Sequence, residues 1–182
     1  MGSIRPALPV NLIVGMLSGD RNLFEMAETK LKEECGPIDL VSDLIPFDLT
    51  DHYEKDMGKG LLRKFIGFER LIGPDRIVPI KALTNRLEGY FAAMHLPVSR
   101  PVNLDPGYIG GGKLVLATTK DHAHRIYLGE GVYAEVALRY VRGRFVPLPW
   151  TYTDYKTKEY QGFFSRVRTL YLNKFERQTI GT

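Results

Sequence analysis

The chain has 182 residues, 44% of them hydrophobic and 25% charged, with ten Tyr, nine Phe and one Trp, enough apolar material for one packed domain and too much for a disordered chain. The net charge of +4 is uneven: residues 1–99 carry 12 basic and 14 acidic side chains, residues 100–182 carry 13 and 7. Cys35 is the one cysteine, which excludes an intrachain disulfide and a CxxC zinc site, and no apolar run reaches the length of a membrane span.

Residues 1–9, with Pro6 and Pro9, read as an extended lead-in that lacks the pattern of a secretory signal, so a cytoplasmic protein is expected. Val10 to Leu17 reads as a buried strand. Ser18-Gly19-Asp20 then marks a turn and a helix N-cap. Leu23, Phe24, Ala27, Leu31 and Cys35 recur at helical spacing until Gly36-Pro37 stops the helix. Cys35 is expected to be buried and inert, since burial raises a thiol pKa. Ile38 to Leu49 reads as a second strand and Leu61 to Leu71 as a third, joined by a polar connection from Thr50 to Gly60. Neither face of the third strand is purely apolar: Arg63 shares one with Leu61, Phe65 and Leu71.

Gly73-Pro74-Asp75 opens a helix with an apolar stripe of Ile77, Ile80, Leu83, Leu87 and Phe91. Pro79 kinks it or marks its true start. Lys81, Asn85 and Glu88 flank the stripe, where they face a cleft or edge a core. The order β-α-β-β-α begins a ferredoxin-like β-α-β-β-α-β unit, which residues 100–107 complete. The rest is mostly strand: Lys113 to Thr119, Arg125 to Leu128, Val132 to Val141, and Arg144 to Leu148 beyond an Arg142-Gly143 turn. Asp154 can cap a last helix, whose Tyr160, Phe163, Phe164, Val167, Leu170, Tyr171 and Phe175 form a stripe that needs a sheet to lie on. The expected whole is one α+β domain over residues 1–182: a ferredoxin-like part at 10–107 with both helices on one face of an antiparallel sheet, antiparallel hairpins at 108–150, and a C-terminal helix at 155–177.

Gly107-Tyr108-Ile109-Gly110-Gly111-Gly112-Lys113-Leu114 has nearly the spacing of a phosphate-binding loop. Leu114, however, stands where a hydroxyl must ligate magnesium, and the strand-like LVLATT follows where a helix must begin. The segment is therefore read as a turn before a strand. His122 and His124 could share a strand face and hold a metal with Glu135 or Asp105, but with only His52 and His95 elsewhere they read as a polar turn. No metal or cofactor is expected. In the strand from Val132 to Val141, strict alternation places Tyr133, Glu135, Ala137, Arg139 and Val141 on one face. Glu135 and Arg139 there read first as a structural ion pair and second as a ligand-facing surface.

The stretches LDPGY (104–108), KLVLATTKDHAHRIYLGEGVYAEV (113–136) and PWTYTDY (149–155), with TDHYEKDMG (50–58) and IKALTNRLE (80–88), resemble domain-of-unknown-function family 4416. The resemblance runs from about residue 10 to residue 175. It implies a stand-alone bacterial protein with no established activity; some members are labelled GTP-binding, which the failed phosphate loop does not support.

Polar residues crowd the C-terminal sheet, and a small anionic, phosphate-bearing ligand is the leading expectation. Arg125 is its bidentate donor, with Lys113, Lys120, Asp105, Arg139 and Asp154 as further ligand-binding residues. His124 and Glu135 are the proton carriers if chemistry occurs. Pairing across Gly129-Glu130-Gly131 gives facing residues whose numbers sum to roughly 260. Arg125 then faces Glu135, and His124, Arg125 and Glu135 should converge on one partly covered cleft with Lys113 or Lys120 nearby. The rival is a non-enzymatic module binding RNA or a protein through the basic half, although no RNP-like or GXXG motif supports RNA.

Overall fold

The computed structural model describes residues 2–94 and 96–180, the side chains of 178–180 excepted. The strands form one mixed-order, wholly antiparallel sheet with helices on both faces. Its hub is β1 (Val10–Ser18), an almost wholly apolar strand in which every residue is buried. A strand so apolar on both faces belongs in the middle of a covered sheet. It pairs with β4 (Leu62–Ile72) on one side and β5 (Asn103–Ile109) on the other.

Beyond β4 lie β2 (Ile38–Val41) and β3 (Ile45–Pro46). Beyond β5 come β6 (Lys113–Thr118), β8 (Val132–Val141) and β7 (Ile126–Gly129), while β9 (Arg144–Pro147) also pairs with β8. The strand order is thus β2-β4-β1-β5-β6-β8-β7. No helix of the described residues is long and apolar enough to cross a membrane.

The helix α1 (Arg21–Cys35) starts where Asp20 accepts a hydrogen bond from the Asn22 amide at 2.9 Å, and it ends at Gly36, whose φ of 95° favours glycine. The helix α3 (Ile77–Ala92) follows a 3₁₀ turn at Pro74–Arg76. Pro79 falls in its first turn, where a missing N–H costs nothing, so it marks the start and introduces no kink. Leu23, Phe24, Ala27 and Leu31 of α1 and Ile77, Ile80 and Phe91 of α3 pack in one cluster with Leu12, Val14, Met16, Ile66, Phe68 and Leu104. The alternate β1 residue Ile13 faces the other way with Phe65, Ile109 and Leu114. That face is covered by Tyr160, Phe163, Phe164 and Val167 of the last helix, α4 (Lys158–Ile180).

Several expectations are corrected. The strand expected over 38–49 is broken in two. Ser42 occupies the gap, giving its amide to the Phe65 carbonyl and accepting the Phe65 amide on its hydroxyl, so a side chain replaces a ladder bond and the register slips by one residue. Cys35 is half-buried rather than buried, and burial pushes its thiol up to about 11. Asp154 does not cap the last helix; it begins a 3₁₀ turn, Asp154–Lys156, and Thr157 takes the cap position with its hydroxyl 3.5 Å from the Tyr160 amide. As expected, by contrast, the glycine-rich segment leads into a strand, β6.

Candidate functional site

A cavity of about 410 Å³ opens beside the sheet where β4, β5, β6 and β8 present polar side chains on the α4 face. Its walls also include Thr50, His52 and Tyr53 from the loop around a single helical turn, α2 (Glu54–Met57), and Tyr152 to Tyr155 from the segment before α4. Phe47, Met57 and Leu61 pack on Leu17, with Tyr53 against them, and anchor that loop.

Arg63 of β4 lies at the base of the cavity, 2% exposed. Its Nη1 donates to Asp105 Oδ2 at 3.2 Å and its Nη2 stands 3.7 Å from Asp154 Oδ2. β4 and β5 are separated by β1, about 9.6 Å at the usual strand spacing. The guanidinium crosses that gap over Gly15, which pairs with Phe65 and Asp105. A Cβ at Gly15 would stand 2.9 Å from Phe65 Cε1 and 3.5 Å from Arg63 Nη1. The Phe47 ring covers the guanidinium at 5.1 Å.

The environment separates the two carboxyls. Burial works against a charged Asp105, but Arg63, Lys81 and the Asn103 amide, which donates at 2.6 Å, hold its pKa below the usual range. At Asp154 burial prevails over the more distant Arg63 and the pKa is raised. Burial raises the pKa of Tyr152 and pushes Tyr53 up to about 12, so both hydroxyls keep their protons at neutral pH.

α3 braces this region. Glu88 accepts the Leu104 amide at 2.7 Å and Arg100 Nη2 at 2.9 Å, Arg100 bonds Asn103, and buried Lys81 donates to the Leu104 carbonyl at 3.2 Å. Asn85 is exposed.

A second polar centre stands across the cavity. β7 and β8 pair Ile126 with Ala134 and Tyr127 with Tyr133, the expected register, and Arg125 Nε meets Glu135 Oε2 at 2.9 Å. Both side chains are 3% exposed. Arg125 also donates to the Lys120 carbonyl at 2.9 Å and to the Tyr152 hydroxyl at 2.7 Å. His124 Nε2 lies 2.8 Å from the same Glu135 oxygen, and its ring stacks on Trp150 on one side and His122 on the other.

Asp105, Lys120, Arg125, Glu135 and Asp154 therefore line one cavity, with His124 directly behind Glu135. Lys113 and Arg139 do not belong to it. They face each other at the far end of the β6–β8 pair. The expected Glu135–Arg139 alternation fails because a bulge shifts the register between Leu114 and Val115. Leu116, opposite Glu135, packs in the same cluster as Leu138, so Arg139 turns to the other face. His122 and His124 stack in parallel, with ring centroids 5.9 Å apart. Among the described residues no three His, Cys, Asp or Glu side chains could jointly hold a metal ion. His95 lies outside the described residues.

Arg63, Tyr53 and Tyr152 were not expected in the site. Arg63 had a legible signal, a cation beside Phe65 on a strand face that must be covered. Tyr152 and Tyr53 had none, because loop residues are placed by the tertiary fold.

No curated protein and no solved structure matches the chain. The model of one family, described as "Domain of unknown function (DUF4416)", matches residues 8–171, a span that holds every strand of the sheet and every residue of the cavity wall, and the chain belongs to that family.

Proposed function

We propose that the cavity binds a small ligand bearing one phosphate-like anionic group. The observation that carries the reading is the convergence of two centres built on nearly inaccessible guanidinium groups, Arg63 with Asp105 and Asp154 and Arg125 with Glu135, on one open cavity. Buried charge is costly, and apolar residues of similar volume would serve stability as well or better. Ionisable groups with environment-shifted pKa values beside a cavity are the usual mark of a binding or reaction site.

Arg125 uses three of its five N–H groups on Glu135, Lys120 and Tyr152, which leaves two for an anion. Lys120, exposed on the cavity wall, adds a positive charge. If the ligand reacts, Glu135 is the group placed to exchange a proton with it, and His124 orients Glu135 from behind. In this reading the protein works in the cytoplasm of a bacterium. Residues 10–107 are read as a ferredoxin-like unit; the β2-β4-β1-β5 order and the shared face of α1 and α3 support this.

A screen of phosphate-bearing compounds by thermal shift tests the reading. At a concentration about 100 times Kd, binding adds ~2.7 kcal/mol of stability, or about 5–10 °C in Tm for a domain of this size. Arg125→Ala should abolish the shift. A hit that survives unchanged in Arg125→Ala would refute the proposed anion site.

The rival, an RNA-binding surface, draws support from the exposed Trp150 and His122, which stack on His124, and from the exposed Lys120. Against it, Tyr160, Phe163 and Phe164 are core and cannot stack on bases. RNA retained at physiological salt by a protein that ignores small phosphates would favour the rival.

A further inference from the structure

We infer that the ligand is a polyhydroxylated, singly phosphorylated small molecule of the sugar-phosphate class, an inference that rests on the anion-binding reading above. The reasoning starts from which polar atoms of the wall remain uncommitted. Glu135 Oε2 takes both bonds, from His124 and Arg125, and Asp105 Oδ2 takes both bonds, from Arg63 and Asn103. The second oxygen of each carries no hydrogen bond among the described residues. Neither is sealed in the interior, since among the described residues the sealed side-chain atoms without a hydrogen bond are Glu28 Oε1 and Arg63 Nε. Two carboxylate oxygens therefore offer acceptor sites to whatever fills the cavity. Tyr152 accepts from Arg125 on its oxygen and retains its own O–H to donate.

These acceptors need donors from the ligand, and a bare phosphate at neutral pH has few to give. Neutral hydroxyls suit them, because each can donate to a carboxylate while accepting from a neighbour such as Tyr152. The charges exclude a strong polyanion. Arg63, Lys120 and Arg125 are set against Asp105, Glu135 and Asp154 in the same wall, so a nucleoside triphosphate would meet no net positive field. A single phosphate needs only the spare N–H groups of Arg125 and the Lys120 ammonium. The volume of about 410 Å³ lies toward the small end of ligand cavities and suits a molecule near monosaccharide size. The aromatic side chains Phe47, Tyr53 and Tyr155 also line the wall and give it apolar surface for the C–H groups of such a molecule.

The test compares ligands on the wild-type protein by titration calorimetry. Glycerol phosphate, ribose phosphate and glucose phosphate are set against propyl phosphate, inorganic phosphate and ATP. At least one hydroxylated monophosphate should bind about tenfold or more tighter than propyl phosphate, since a hydrogen bond to a charged group is commonly worth that factor. Glu135→Gln and Asp105→Asn should weaken the hydroxylated ligand by a larger factor than they weaken propyl phosphate, whose single anionic group they touch only through Arg125 and Arg63. If propyl phosphate or inorganic phosphate binds as tightly as the best sugar phosphate, or ATP binds most tightly, the sugar-phosphate inference is overturned while the anion site stands. If no phosphate compound binds, both fall. Should Asp105→Asn fail to fold, the comparison of ligands on the wild type still decides.

Discussion

Arg63 holds two carboxylates, and its removal would leave the buried Asp154 and the half-buried Asp105 without their cation. Arg63→Met should therefore cost about 3–5 kcal/mol, read as a lower urea midpoint. The two partners should respond to pH with opposite sign. Asp105 has a folded-state pKa below its unfolded value, so it contributes stability above the unfolded pKa, and that contribution is lost as pH falls through the depressed folded value. Asp154 has a raised folded pKa, so its favourable contribution is present below the unfolded pKa and is lost as pH rises through the raised one. Tm measured as variant minus wild type should thus become more negative with rising pH for Asp105→Asn. For Asp154→Asn it should become more positive. Parallel profiles for the two variants would contradict the assigned environments.

At the scale of elements, the central strand depends on Gly15. Its missing side chain lets Phe65 and the Arg63 guanidinium lie across β1. Gly15→Ala should force the Phe65 ring to shift and cost about 1–3 kcal/mol by overpacking, checked by chemical denaturation. An interior strand glycine often marks such a close approach, so the position was legible in VNLIVGML even though the crossing arginine was not. The register of the β7–β8 hairpin was legible, because Gly129, Glu130 and Gly131 all take positive φ in a tight connection that sets it. The bulge in β8 was not. Ala137 looks like any alternating residue, and only its pairing with β6 adds the extra position that turns Arg139 away.

At the scale of the whole molecule, α4 closes one face of the sheet. Phe164 is fully buried against Phe65, Tyr155 and Phe145. Phe164→Ala should cost about 3–5 kcal/mol. A chain ending at residue 157 would expose Ile13, Phe65, Ile109 and Leu114 together. It should lose its cooperative thermal transition by circular dichroism and bind a hydrophobic dye; a sharp melt of the truncated chain would show that α4 is an accessory.

The sequence by itself determined the elements whose signal is local: the long helices α1, α3 and α4, from apolar recurrence at 3.6 residues, and the β7–β8 and β8–β9 hairpins, from glycine at positions that need positive φ. It also determined that Arg125 would face Glu135, because a short turn propagates its register into the strands. Only the tertiary structure decided the rest of the site. Arg63, Asp105 and Asp154 are separated by 42 and 49 residues, and they meet because β1 threads between β4 and β5 and α4 folds back over that face. Such meetings follow from strand order and layer packing, which no local window of sequence encodes.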